Sequence, residues 1–189
     1  MRRQFRNITS LYNRLRNDCK ENRTEIIRLL VIILVCYILF GKMLQISYIP
    51  TGSMEATIMT NDVVLFNRIS YCVGEPQQGD IIEFYQEKAD KYLCKRVIGS
   101  PGDTISFQNG KVYINGEQLN ETQYISDEVE TYCNKTFTVP EDSYFVMGDN
   151  RSRSFDSRYW KNPYVSNSDI KAKLIMVIPM HYIIKNRGK

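Results

Sequence analysis

Leu29–Phe40 is an unbroken run of twelve apolar residues, and no other part of the chain comes near membrane length. As a helix those residues reach only about 18 Å, against a hydrocarbon core of roughly 30 Å. Extension over residues 26–46 gives about 32 Å, with Arg28 and Lys42 near the two ends able to snorkel to the headgroups. The pattern therefore predicts one transmembrane helix over 26–46. A cleaved signal peptide and a buried core helix are the competing readings of the run. A polar leader of 28 residues is long for a signal peptide, and GKMLQISYIP has no small-x-small cleavage pattern.

Charge is distributed unevenly about this segment. Residues 1–28 hold eight Lys/Arg against three acids, whereas the remainder is close to neutral. This split argues against a nucleic-acid-binding body and for a basic tail beside anionic lipid. By the positive-inside rule residues 1–25 form a cytoplasmic tail and 47–189 lie on the extracytoplasmic side of the cell membrane. Phe5, Ile8, Tyr12 and Leu15 recur at three-to-four-residue spacing, which fits either a short amphipathic helix on the inner leaflet or a solvated tail.

Past the apolar segment the chain breaks into short β-rich runs punctuated by Gly, Pro and Asn. Residues 62–69, 79–85, 92–98, 104–108, 111–115 and 143–150 read as strands, and 173–184 as one or two closing strands with Pro179 at an edge or bend. Asn109-Gly110 is a hairpin signal, and Asn115-Gly116 is expected to end that hairpin. Pro101-Gly102 fits a type II turn. Residues 117–143 read as a small irregular subdomain, and 151–169 as a polar and aromatic loop. The fold class expected is mostly β, a single N-terminal transmembrane helix followed by an antiparallel β-rich domain. Of the five cysteines, Cys72, Cys94 and Cys133 fall outside the membrane, an odd set that implies no disulfide framework. One histidine and no CxxC pair leave no metal site, and no cofactor is implied.

Ser53, in YIPTGSMEATI, lies a few residues past the apolar segment, while the lone His181 sits near the far end in an apolar strand and reads as structural. A nucleophilic Ser53 would therefore take a base other than histidine, and lysine is the usual substitute. Lowering a lysine pKa from about 10.4 to 7–8 destabilises the ammonium by roughly 4 kcal/mol, which apolar burial can supply. Lys95 has the right setting: on a strand it shares a face with Leu93 and Val97, while Cys94, Arg96 and Ile98 point the other way. A snorkelling surface lysine on an edge strand fits the same spacing. Around Ser53 there is no GxSxG elbow, and a sortase-type cysteine enzyme is disfavoured because His181 follows every cysteine.

Four segments, in order, resemble the bacterial type I signal peptidases, serine proteases with a Ser-Lys dyad. They are IPTGSMEATI, NDVVLFNRI with GDIIEF, KRVIGSPGD and GDNRSRSFDSR. The resemblance implies Ser53 as nucleophile, Lys95 as general base, and an oxyanion hole from the Ser53 N–H and the Thr51 hydroxyl. It implies Ser154 as the residue orienting the lysine amine, Asp156 and Arg158 as an ion pair near the site, and Asp149 and Arg151 as further framework. Ile49, Pro50, Met54, Leu93 and Cys94 would line the substrate pocket. The family commonly has serine at the Thr51 position, an aliphatic residue at Cys94, and proline after the Ser-Met pair, where this chain has Glu55-Ala56. The implied substrates are exported preproteins with small residues at the first and third positions before the cut. Two other classes remain: a Ser-Lys self-cleaving regulator, disfavoured because such proteins are cytosolic, and a non-catalytic membrane-tethered β module that binds extended peptides.

Overall fold

A computed structural model describes the backbone of residues 2–180 and the side chains of residues 22–180 except 39. His181 and the end of the expected closing strand lie outside the described residues, as do the side chains of Phe5, Ile8, Tyr12, Leu15 and Cys19. The chain divides into two compact units, 1–42 and 43–189.

The first unit is one helix, α1 (Arg2–Met43). Within it Asn22–Met43 is long and apolar enough to cross a membrane. The helix stops three residues short of the expected boundary. Residues 44–46 belong instead to strand β1 (Leu44–Tyr48), because Gln45 and Ser47 alternate with Leu44, Ile46 and Tyr48 at the two-residue period of a strand.

The second unit is antiparallel throughout its described strand pairs. After β1 come β2 (Val63–Asn67), β3 (Ile81–Gln86), β4 (Lys91–Gly99), β5 (Thr104–Gln108), β6 (Lys111–Ile114), β7 (Glu117–Gln118), β8 (Phe137–Thr138), β9 (Ser143–Met147), β10 (Tyr164–Ser166) and β11 (Ile170–Ile178). They form a seven-stranded sheet, β1-β2-β11-β3-β4-β9-β10, and a four-stranded sheet, β7-β6-β5-β8. The expected subdomain near 117–143 thus contributes two short edge strands to the smaller sheet. Strand β10 falls in the stretch expected as a loop.

Asn109-Gly110 and Asn115-Gly116 all have positive φ, from 50° to 88°, the backbone that a two-residue I′ turn requires. The first turn joins β5 to β6, with Gln108 opposite Lys111. The second, rather than ending the hairpin, starts another: Ile114 pairs with Glu117 across it.

Three apolar clusters make up the core. One gathers Ile49, Met54, Ile58, Val64, Phe66, Ile81 and Ala172, with Cys94 packed against it. A second holds Ile82, Phe84, Val97, Tyr144, Val146, Trp160 and Val165, with Leu93 against it. The third fills the space under the smaller sheet around Ile98, Ile105, Phe137 and Phe145. Strand β4 touches all three, since alternate side chains leave it in opposite directions.

Candidate active site

The segment between β1 and β2 carries Ser53 on a single 3-10 turn, Gly52–Met54. The turn is anchored at both flanks. Ile49 exchanges backbone hydrogen bonds with Asp62 and Asn61 at 3.0 and 2.8 Å, and the Met54 carbonyl accepts the N–H groups of Thr57 and Ile58. Met54 and Ile58 are buried, so their side chains fasten the turn to the core while Ser53, just before Met54, stays half-buried.

Lys95 reaches this turn from β4. Its Nζ lies 2.6 Å from Ser53 Oγ, across 42 residues of sequence. The lysine is 3% exposed, on the face that also carries Leu93 and Val97. Burial pushes its pKa below the ordinary lysine value; Asp156, Cys94 and Asp149 pull the other way, and Arg158 assists the lowering. Both nearby carboxylates are already engaged by arginines, which weakens their hold on an ammonium and lets desolvation dominate.

Asp156 takes Arg158 Nε at 2.8 Å and Nη2 at 2.9 Å, and accepts the Gly148 N–H at 3.0 Å. Asp149 takes Arg96 Nε at 2.8 Å and Nη2 at 2.7 Å, and the Thr57 hydroxyl at 2.5 Å. The Tyr124 ring lies 3.9 Å from the Arg96 guanidinium carbon. Arg151 pairs with Glu121 and donates to Thr131 at 2.8 Å. Residues 117–143, which the sequence leaves without a role, thereby supply the partners that hold Arg151 and cover Arg96.

Ser154 is buried beside the turn, but its Oγ has no hydrogen-bond partner. The expected bond from Ser154 to the lysine amine is therefore not made in this structure, in which Lys95 is directed at Ser53. The surroundings are tight. A Cβ on Gly148 would collide with Ser154 Oγ and the Ser53 carbonyl, so only glycine fits there. Thr51 is exposed at the N-cap of the 3-10 turn and makes no side-chain cap bond.

The residues expected to line a pocket separate into two groups. Ile49, Met54 and Cys94 pack in one cluster, and burial pushes the Cys94 thiol up to about 12. Pro50 is exposed. Leu93 belongs to the other cluster because strand alternation sets it opposite Cys94.

Several contacting residues were invisible in sequence. Asn150 donates its backbone N–H to the Ser53 carbonyl at 3.2 Å, and its side-chain amide to the Gly52 carbonyl and to Glu55. Glu55 also accepts the Thr60 hydroxyl at 2.9 Å. The departure from proline at this point is thus offset by side-chain ties rather than by a rigid ring. Asn150 lies within GDNRSRSFDSR, but nothing in that motif marks it as a partner of the Ser53 turn.

A serine hydroxyl within hydrogen-bond reach of a buried lysine is a geometry in which the amine, when neutral, can take the hydroxyl proton. The profile of the family "Signal peptidase, peptidase S26" matches residues 23–179, and the chain belongs to that family. It is 40% identical over 122 residues to a probable signal peptidase I-2 of Synechocystis sp., covering 61% of this chain and 55% of that protein. It is 35% identical over 149 residues to signal peptidase I P of Bacillus subtilis subsp. natto, covering 74% of this chain and 80% of that one. The crystal structure of a signal peptidase I from Enterococcus faecalis V583 is 34% identical with a TM-score of 0.46, covering 55% of this chain and 99% of that one.

Proposed function

We propose that the protein is a membrane-anchored serine endopeptidase that removes N-terminal signal peptides from exported preproteins, with Ser53 as nucleophile and Lys95 as general base. The observation that carries this reading is the 2.6 Å approach of Lys95 Nζ to Ser53 Oγ in a buried setting. Neutral Lys95 takes the hydroxyl proton as Ser53 Oγ attacks the scissile carbonyl carbon. The oxyanion is held by the Ser53 N–H and the Thr51 hydroxyl. As the tetrahedral intermediate collapses, the Lys95 ammonium passes its proton to the departing amine, which is the new N-terminus of the mature protein. Lys95 then deprotonates a water that attacks the acyl-Ser53 ester and releases the signal peptide with a free carboxylate.

Ser154 supplies a buried oxygen with no partner of its own, suited to accept an N–H of Lys95 once the amine is protonated. The Asp156–Arg158, Asp149–Arg96 and Arg151–Glu121 pairs hold the loop carrying Ser154 and flank the lysine. Substrate binds as an added strand. Residues 91–95 of β4 pair with β3 on one side, while β9 joins the other side only from Arg96 onward. A backbone edge beside Lys95 is therefore open to an extended peptide.

Residues 22–43 cross the bilayer, with the basic tail cytoplasmic and the β unit on the extracytoplasmic side. The test is incubation of the detergent-solubilised protein with a preprotein, with the cut located by N-terminal sequencing of the product. Release of the mature protein by the wild type and no release by Ser53→Ala or Lys95→Ala supports the reading. Undiminished processing by either folded variant overturns it.

A further inference from the structure

Glu83 is a buried carboxylate that the hydrolytic steps do not use. It sits on β3, 4% exposed, in a cross-strand row with Ala172 of β11 on one side and Cys94 of β4 on the other. One oxygen accepts Gln45 Nε2 at 2.7 Å and the other accepts Ser47 Oγ at 3.0 Å.

Both donors come from β1, three positions from β3 in the sheet order. On a flat sheet that separation is about 14 Å. Direct hydrogen bonds require the sheet to curl until the inner face of β1 stands over β3 and β4. Among the described residues β1 and the first half of β4 each keep one backbone edge unpaired: β1 pairs only with β2, and residues 91–95 of β4 only with β3.

The next step rests on the peptidase reading above. In an extended peptide alternate side chains point inward, so the first and third residues before the cut share a face about 6.8 Å apart. On β1 the same two-residue step away from Ser53 leads from Ile49 to Ser47. A peptide whose first residue lies against Ile49 brings its third residue against Ser47, at the level of Glu83, which Ser47 bonds, and of its cross-strand neighbour Cys94.

We propose that Glu83 is a specificity-determining residue, accepting a hydrogen bond from a short hydroxyl side chain, serine or threonine, at the third position before the cut. A carboxylate offers about four acceptor sites, and Gln45 and Ser47 occupy two. An apolar side chain at this place would complete the burial of the carboxylate without donating to it, whereas a hydroxyl would add a donor. Burial holds the Glu83 pKa above the usual carboxylate value, and the bonds from Ser47 and Gln45, with Arg68 nearby, oppose that rise. A third donor works in the same direction as these.

The test uses the full-length protein in detergent and two preproteins differing only in threonine or valine, which are close in shape, at the third residue before the cut. The expected kcat/KM ratio for wild type is about tenfold in favour of threonine. Glu83→Leu brings the ratio to about one or reverses it. Glu83→Gln, which keeps an acceptor carbonyl, reduces it to a few-fold and serves if the leucine variant does not fold. Because each ratio is taken within one preparation, a change in folded fraction cancels. Equal cleavage of the two substrates by wild type, a valine preference, or a full threonine preference surviving in folded Glu83→Leu overturns the proposal. Cleavage of neither substrate by wild type overturns the peptidase reading, and this subsite with it.

Discussion

Asn150 holds Ser53 from the far side of the turn: its backbone N–H meets the Ser53 carbonyl at 3.2 Å while its side-chain amide meets the Gly52 carbonyl at 3.0 Å. Ser53 is thus positioned by the loop after β9 as well as by its own 3-10 turn. Asn150→Ala keeps the backbone bond and loses the side-chain bonds to Gly52 and Glu55. A net hydrogen bond is worth about 1 kcal/mol, and 1.36 kcal/mol in the barrier is tenfold in rate. The expected result is a roughly tenfold fall in kcat with KM little changed, measured by steady-state cleavage of one preprotein.

The pH dependence of Lys95 has a definite sign. Its folded pKa lies below the ordinary value of about 10.4, through desolvation first. Between the folded pKa and 10.4 the unfolded chain binds the extra proton, so this residue makes stability rise with pH through that window. Below the window both states are protonated and the full penalty of burying the ammonium is present. Lys95→Met should therefore be inactive but more stable than wild type on the acid side, with the advantage shrinking toward pH 10.4. Denaturant melts at a series of pH values check this, and a pH-independent difference would count against a buried ammonium. In parallel, wild-type kcat/KM should climb with pH as Lys95 loses its proton.

Arg96 and Asp149 form a buried pair closed by two hydrogen bonds, with side chains 9% and 0% exposed. Removal of one member strands the other charge. Asp149→Ala is expected to destabilise the fold by about 3–5 kcal/mol, whereas the double variant Arg96→Met with Asp149→Leu recovers much of that loss. Urea unfolding of the single and double variants gives the comparison.

Ala56 has φ of 96°, the only residue other than Gly, Asn or Asp with positive φ among the described residues. Left-handed and related backbone costs a residue with a Cβ about 1–3 kcal/mol, partly offset in a glycine variant by the greater freedom of the unfolded chain. Ala56→Gly is expected to raise stability by about 1 kcal/mol, read as a higher urea midpoint with unchanged slope.

How far the sequence could be read depended on whether a feature was local. The Asn-Gly turn at 109–110, the β5 boundaries and the apolar setting of Lys95 follow from two-residue alternation and from backbone preferences of single residues. The predicted helix runs past the end of α1 because Leu44 and Ile46 are apolar and prolong the helical pattern, although their alternation with Gln45 and Ser47 belongs to a strand. Strand β10 was hidden because its three residues pair only with a distant strand, β9. Glu121 and Thr131 carried no signal for the same reason: their partner, Arg151, is 30 and 20 residues away.

By itself the sequence determined that an apolar helix leads into a β-rich unit; it singled out Ser53 and Lys95 as candidates, and through its resemblance to the signal peptidases it implied that Asp156 and Arg158 belong together, since apolar run length, strand period and ordered motifs are properties of neighbouring residues. Only the tertiary structure decided that Lys95 Nζ meets Ser53 Oγ, that Ser154 Oγ is left without a partner, and that Glu83 is engaged from β1. Those relations depend on how the sheet curls and on which strands become neighbours, and long-range pairing of that kind is a property of the whole fold, not of any segment read alone.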